Sequence, residues 1–153
     1  RPMQWTPDRN AGFATANPGR LYLPLKLDPI YGYPSVNVEA QRDSSTSLLN
    51  WTRTMLAVRR RHEAFATGAF RELGGSNPSV LAYLREAGDE VMLCVNNLSR
   101  FPQPIELQLQ HWASWTPVEL TGHVPFPRIG QLPYLLTLPG HGFYWFKLAE
   151  EGA

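Results

Sequence analysis

The sequence predicts an α+β chain: a loop-rich opening that carries one helix, followed by an antiparallel β-sandwich. Three observations carry this. Residues 1–43 hold six prolines and three glycines with no sustained helical or strand period. Residues from about Ser47 to Arg61 follow the 3.6-residue spacing of a helix. Past Gly68 that spacing gives way to short alternating apolar runs punctuated by Pro and Gly. A boundary is therefore expected there, with segments 1–66 and 67–153.

In the first segment, a stretch of this length without regular structure is abnormal inside a compact domain; it signals functional loops or loops laid on another layer. Ser44, Ser45 and Ser47 are N-cap candidates for the helix, and Leu48, Trp51, Thr52, Met55, Leu56 and Arg59 share one face. One amphipathic stripe must be buried against something, and the first segment offers no facing layer. Arg59-Arg60-Arg61-His62 closes the helix where the dipole favours positive charge, and reads as a solvated helix end.

In the second segment, Val80–Leu84 and Val91–Val95 flank Glu86-Ala87-Gly88-Asp89, which predicts a hairpin. Ile105–Leu109 alternates, Val118–Leu120 is a short run, and Tyr134–Leu138 leads through Pro139-Gly140-His141-Gly142 into Phe143–Leu148. About six short strands with such turns suit a small sandwich. The row Phe143-Tyr144-Trp145-Phe146 reads as a strand covered on both faces or set at a domain contact.

Composition narrows the function. The chain has 153 residues, 43% hydrophobic and 18% charged, which is globular composition. Fourteen Lys and Arg against thirteen Asp and Glu give a net charge of +1, without the basic excess expected of a nucleic-acid or anionic-membrane binder. No apolar run is long enough for a bilayer span. The single cysteine, Cys94, rules out an internal disulfide and suits a reducing, cytoplasmic setting; in Val91-Met92-Leu93-Cys94-Val95 it reads as a buried structural thiol. His62, His111, His123 and His141 show no metal-ligand spacing, no phosphate-cradling glycine motif occurs, and no metal or cofactor is expected.

Glycosidase chemistry needs two carboxylates about 5–9.5 Å apart. None of the thirteen acids stands in a recognisable catalytic setting: Asp8 and Asp28 sit beside prolines, and Glu39 follows Val36-Asn37-Val38. Asp8 suits an Asx turn or helix cap. Five Trp, six Tyr and seven Phe are a surplus that packs a core or stacks on sugar rings; Trp5 beside Gln4, and Tyr31-Gly32-Tyr33, are the segments that could line a carbohydrate pocket.

The run Pro2-Met3-Gln4-Trp5-Thr6-Pro7-Asp8-Arg9-Asn10-Ala11-Gly12-Phe13 resembles the P-M-Q-W signature of α-amylase-like glycoside hydrolases. Leu27–Tyr33 and Val36–Gln41 resemble the trehalose synthase (maltose α-D-glucosyltransferase) branch. Leu49-Asn50-Trp51, Met55–Arg59, Leu81–Arg85, Asn96–Phe101, Val118–Gly122 and Gly142–Phe146 continue the likeness along essentially the whole chain. The resemblance implies the end of a (β/α)8 barrel, loop plus last helix, over 1–66, then a C-terminal β-sandwich over 67–153.

It implies a parent enzyme that interconverts maltose and trehalose by intramolecular glucosyl transfer, with an Asp nucleophile, a Glu acid/base and a stabilising Asp in barrel motifs that this chain does not contain. Catalytic residues are therefore assigned to none of its positions, and family calcium would bind outside it. Arg1, Gln4, Trp5 and Asp8 are the candidates for substrate-side or loop-ordering roles. One departure is visible: Arg1 directly precedes Pro2 where the family pattern carries a threonine between them. The partners so implied are maltose or trehalose through the barrel, the barrel itself, a maltokinase and a second copy of the chain. Two alternatives stay open: a noncatalytic carbohydrate-binding or scaffold module, and a related α-glucosidase.

Overall fold

The structure is a computed structural model that describes residues 1–150. It divides into two compact units, Arg1–Leu56 and a second from Ala57 onward.

The second unit is built on the expected hairpin. Strand β2 (Val80–Ala87) and strand β3 (Glu90–Asn97) pair antiparallel from Val80↔Asn97 to Ala87↔Glu90. Their two-residue turn opens on Gly88 at φ 55°, a conformation that glycine adopts without a Cβ clash. Around them lie β1 (Ala69–Leu73), β4 (Gln103–Leu107), β5 (Thr116–Glu119), β6 (Val124–Pro125), β7 (Tyr134–Leu138) and β8 (Phe143–Ala149). One sheet runs β1-β2-β3-β8-β5-β6 and the other pairs β4 with β7.

The described residues thus hold eight strands where about six were expected. The additions, β1 and β6, are edge strands whose residues are mostly exposed, so they carry little of the alternation that marks a strand in sequence. The sequence neighbours β7 and β8 belong to different sheets, so the Pro139–Gly142 connection crosses the sandwich instead of closing a hairpin.

Alternation places Val80, Ala82 and Leu84 of β2, Leu93 and Val95 of β3, and Phe146 and Leu148 of β8 on the inner face. Against them pack Ile105 and Leu107 of β4 and Tyr134, Leu136 and Leu138 of β7. The four-aromatic row is covered on both faces. Tyr144 and Phe146 meet Phe126, with ring centroids 5.2 and 4.8 Å away. Trp145 points to the other face, 4.9 Å from Phe65.

That outer face is covered by the end of helix α2 (Leu48–Arg61) and by a short helix, α3 (Glu63–Thr67), through Val58, Ala64, Phe65, Met92 and Leu120. Helix α3 was not expected from the sequence. It is pinned by Glu90, which sits 2.7 Å from His62 Nδ1 and accepts the Ala64 amide at 3.2 Å. Burial raises the Glu90 carboxyl, but these bonds outweigh it and hold the group below its ordinary value.

In the first unit α2 begins where Ser47 caps it, accepting the Asn50 amide at 3.2 Å. A second unexpected helix, α1 (Val38–Asp43), is capped by Asn37, whose Oδ1 accepts the Ala40 amide at 2.8 Å. The apolar face of α2 lacks a facing layer within this unit, as the sequence suggests: Met55 is buried, but Leu48, Trp51 and Leu56 are 71%, 49% and 48% exposed.

Candidate functional site

All four residues singled out by sequence lie in the opening loop of the first unit, and its backbone explains their placement. Asn10, Ala11 and Gly12 adopt consecutive left-handed conformations, at φ 57°, 59° and 65°. Asparagine and glycine tolerate this region; alanine does so at a cost of roughly 1–2 kcal/mol. Hydrogen bonds on both sides hold Ala11 there. Its amide donates to Asp8 O at 2.9 Å, and its carbonyl accepts from the amides of Trp5 at 2.9 Å and Thr6 at 3.1 Å. A Cβ on Gly12 would lie 2.6 Å from Thr6 Oγ1, so the turn also needs that hydrogen.

Gln4 is drawn inward. Its Nε2 donates to the Val36 carbonyl at 2.5 Å and stands 3.4 Å from that of Tyr31. The carbonyls of Gln4 and Trp5 accept the amides of Val38 and Glu39, the first residues of α1. The Gln4-Trp5 dipeptide therefore ties the opening strand of the loop to the start of that helix. Trp5 leaves its ring 46% exposed. Asp8 accepts a hydrogen bond from the Thr6 hydroxyl at 3.0 Å, the Asx-type use read from its neighbours. Arg1 is exposed and lines a depression of about 210 Å³ with Pro2, Phe13, Leu21, Tyr22 and Leu23, whereas Asp8 borders a different one with Arg9, Gly12 and Phe13. The four residues are brought into one loop but not into one pocket.

Asn10 is the residue that sequence reasoning missed. It is 1% exposed, and its Nδ2 donates to the carbonyls of Ala14 at 2.8 Å and Ala16 at 2.6 Å. Its Oδ1 is buried with no hydrogen-bond partner. The available signal was the Asn-Ala-Gly triplet, two of whose members favour left-handed backbone. Nearby, the amides of Tyr31 and Ile30 bond Asp28 at 2.7 and 2.9 Å and hold its carboxyl below the usual range, fixing the turn that presents Tyr31. Tyr31 is 60% exposed. The loop is thus a hydrogen-bonded polar frame that offers rings and an arginine outward, a surface that suits a hydroxyl-rich ligand.

Comparisons with known proteins match the chain in two parts. Residues 1–68 match the family described as "Alpha amylase, catalytic domain", and residues 70–145 match "Maltogenic Amylase, C-terminal domain". The chain is 81% identical over 157 aligned positions to the trehalose synthase/amylase TreS of Mycobacterium tuberculosis, covering 99% of this chain and 26% of that protein. It is 44% identical to the trehalose synthase of Thermus thermophilus over 96% of this chain and 15% of that one. The crystal structure of Bacillus licheniformis trehalose-6-phosphate hydrolase superposes with a TM-score of 0.72 at 21% identity, over 97% of this chain and 25% of that one, which speaks for the fold. The chain spans about a quarter of the length of the mycobacterial relative. It belongs to the α-amylase-like glycoside hydrolase family, in the trehalose synthase branch.

Proposed function

We propose that this chain serves as the C-terminal part of an enzyme that interconverts maltose and trehalose by moving a glucosyl unit within one closed site. The barrel outside this chain supplies the Asp nucleophile, the Glu acid/base and the stabilising Asp, and residues 1–66 complete its active-site face. Residues 67–153 are the supporting sandwich.

One observation carries the reading: the first unit buries only Ala11 and Met55 among its apolar side chains, while eleven large ones, among them Met3, Trp5, Tyr22, Ile30, Tyr31 and Trp51, are exposed. A loop frame this ordered and this uncovered fits a surface made to lie on a barrel. The orphaned Asn10 oxygen is short of a donor in the same unit. In this reading Trp5 and Arg1 face substrate, and Gln4 and Asp8 order the loop. The setting proposed is cytoplasmic, the reducing compartment that the single free Cys94 suits. Among the described residues no helix is long and apolar enough to cross a membrane. A maltokinase and a second copy of the chain are the protein partners proposed.

The test is a chimera in which this chain replaces the matching quarter of the M. tuberculosis enzyme. We expect trehalose from maltose at near-parental rate, and none from the 153-residue chain alone. Gln4→Ala in the chimera should lower kcat/KM about tenfold, since releasing two loop carbonyls costs on the order of 1–2 kcal/mol. A folded chimera that makes no trehalose overturns the proposal.

A further inference from the structure

On the outer face of the six-stranded sheet, within the second unit, lies a cleft of about 250 Å³ lined by Arg59, Phe65, Tyr83, Arg85 and Trp145. The sequence suggested only a solvated helix end for Arg59. Arg59 is exposed, as that reading has it, and it also lines this cleft together with Arg85 of β2 and Tyr83. No carboxylate lines the cleft. Among the described residues the ion pairs are His62–Glu90 and Arg71–Glu86, so neither arginine has an acid within 4.0 Å. Arg85 spends its Nε on the Ala64 carbonyl at 3.1 Å, which anchors the side chain and leaves its terminal nitrogens for another acceptor.

Two cations facing one small cleft repel each other and lack a counter-charge, and the fork geometry of guanidinium matches phosphate oxygens. The remaining walls are aromatic: Phe65 and Trp145 meet at 4.9 Å with their planes tilted by 43°. Ring faces of this kind take a flat or apolar group and thin the water that would weaken the charge contact. The phenol of Tyr83 stays protonated, its ionisation pushed up to about 12 by burial first of all, and it is hydrogen-bonded to the Cys94 thiol, so the charge contact rests on the two arginines.

We propose that this cleft binds a phosphomonoester, with Arg59 and Arg85 holding the dianion and Phe65 and Trp145 receiving a ring on the ester. The site uses none of the residues assigned to the opening loop, so it stands or falls separately from the proposed activity.

The test titrates the full chain with phenyl phosphate, inorganic phosphate and phenol, following tryptophan fluorescence and the arginine side-chain NMR signals. We expect saturable binding of phenyl phosphate, binding of inorganic phosphate about tenfold weaker, and no saturation by phenol over the same range. Arg59→Gln, a change at an exposed helix position, should weaken phenyl phosphate about tenfold; Arg60→Gln, one residue outside the cleft, should leave it unchanged. Arg85→Gln should act like Arg59→Gln provided its circular dichroism matches the parent. Absence of saturation with phenyl phosphate, equal binding of phenol, or equal weakening by Arg60→Gln overturns the proposal.

Discussion

Single side chains do more to close this fold than their sequence neighbourhood suggests. Asn97 is 3% exposed, yet it fills four hydrogen-bonding roles. Its Nδ2 stands 2.8 Å from Phe101 O, 2.9 Å from Pro139 O and 3.4 Å from Leu138 O, and its Oδ1 accepts the Ser99 amide at 2.9 Å. It joins the loop after β3 to the crossing after β7. Asn97→Ala leaves buried carbonyls unpaired and should cost about 2–3 kcal/mol, read as a fall in the denaturant midpoint with an unchanged slope. Cys94 confirms its sequence reading as a buried thiol: it is fully buried, and burial pushes its ionisation up to about 11. At pH 8 a disulfide reagent should leave the native chain unlabelled and modify one thiol after unfolding; rapid native labelling would contradict the packing.

At the scale of elements, α3 shows how a five-residue helix survives without propensity to support it. Its first-turn amide and the preceding His62 are both held by Glu90, and Phe65 packs on Trp145. Because the folded state lowers the Glu90 carboxyl, the bond's contribution is fully present above the ordinary glutamate value of 4.5 and is lost as pH falls below it. Glu90→Gln should therefore destabilise the chain by about 1–2 kcal/mol at pH 7, with the difference in melting temperature between variant and parent shrinking towards pH 4. A pH-independent difference would show that the carboxylate charge is not what holds the helix. Helix α2 makes the opposite point. Its periodicity was legible, but periodicity names a face that wants burial, not the layer that provides it, and Leu48, Trp51 and Leu56 stay exposed in this chain.

Across the whole molecule, the two units differ in what sustains them. The sandwich has a continuous core from Val80 to Leu148, whereas the first unit has hydrogen-bonded turns around almost no buried apolar surface. A truncated chain of residues 57–150 should therefore keep a single cooperative thermal transition, and residues 1–56 alone should show none by calorimetry, because turns without apolar burial do not offset the entropy of ordering about fifty residues. A sharp melt from the isolated first segment would refute this.

The sequence by itself determined the β2–β3 hairpin, the body of α2, the buried thiol and the family, because apolar period, turn glycines and collinear motifs are written in neighbouring residues. Only the tertiary structure decided the rest. The split of β7 and β8 between sheets, the Glu90 clamp on α3 and the convergence of Arg59 and Arg85 on one cleft depend on residues far apart in the chain, and local spacing carries no record of which distant backbone a side chain will reach.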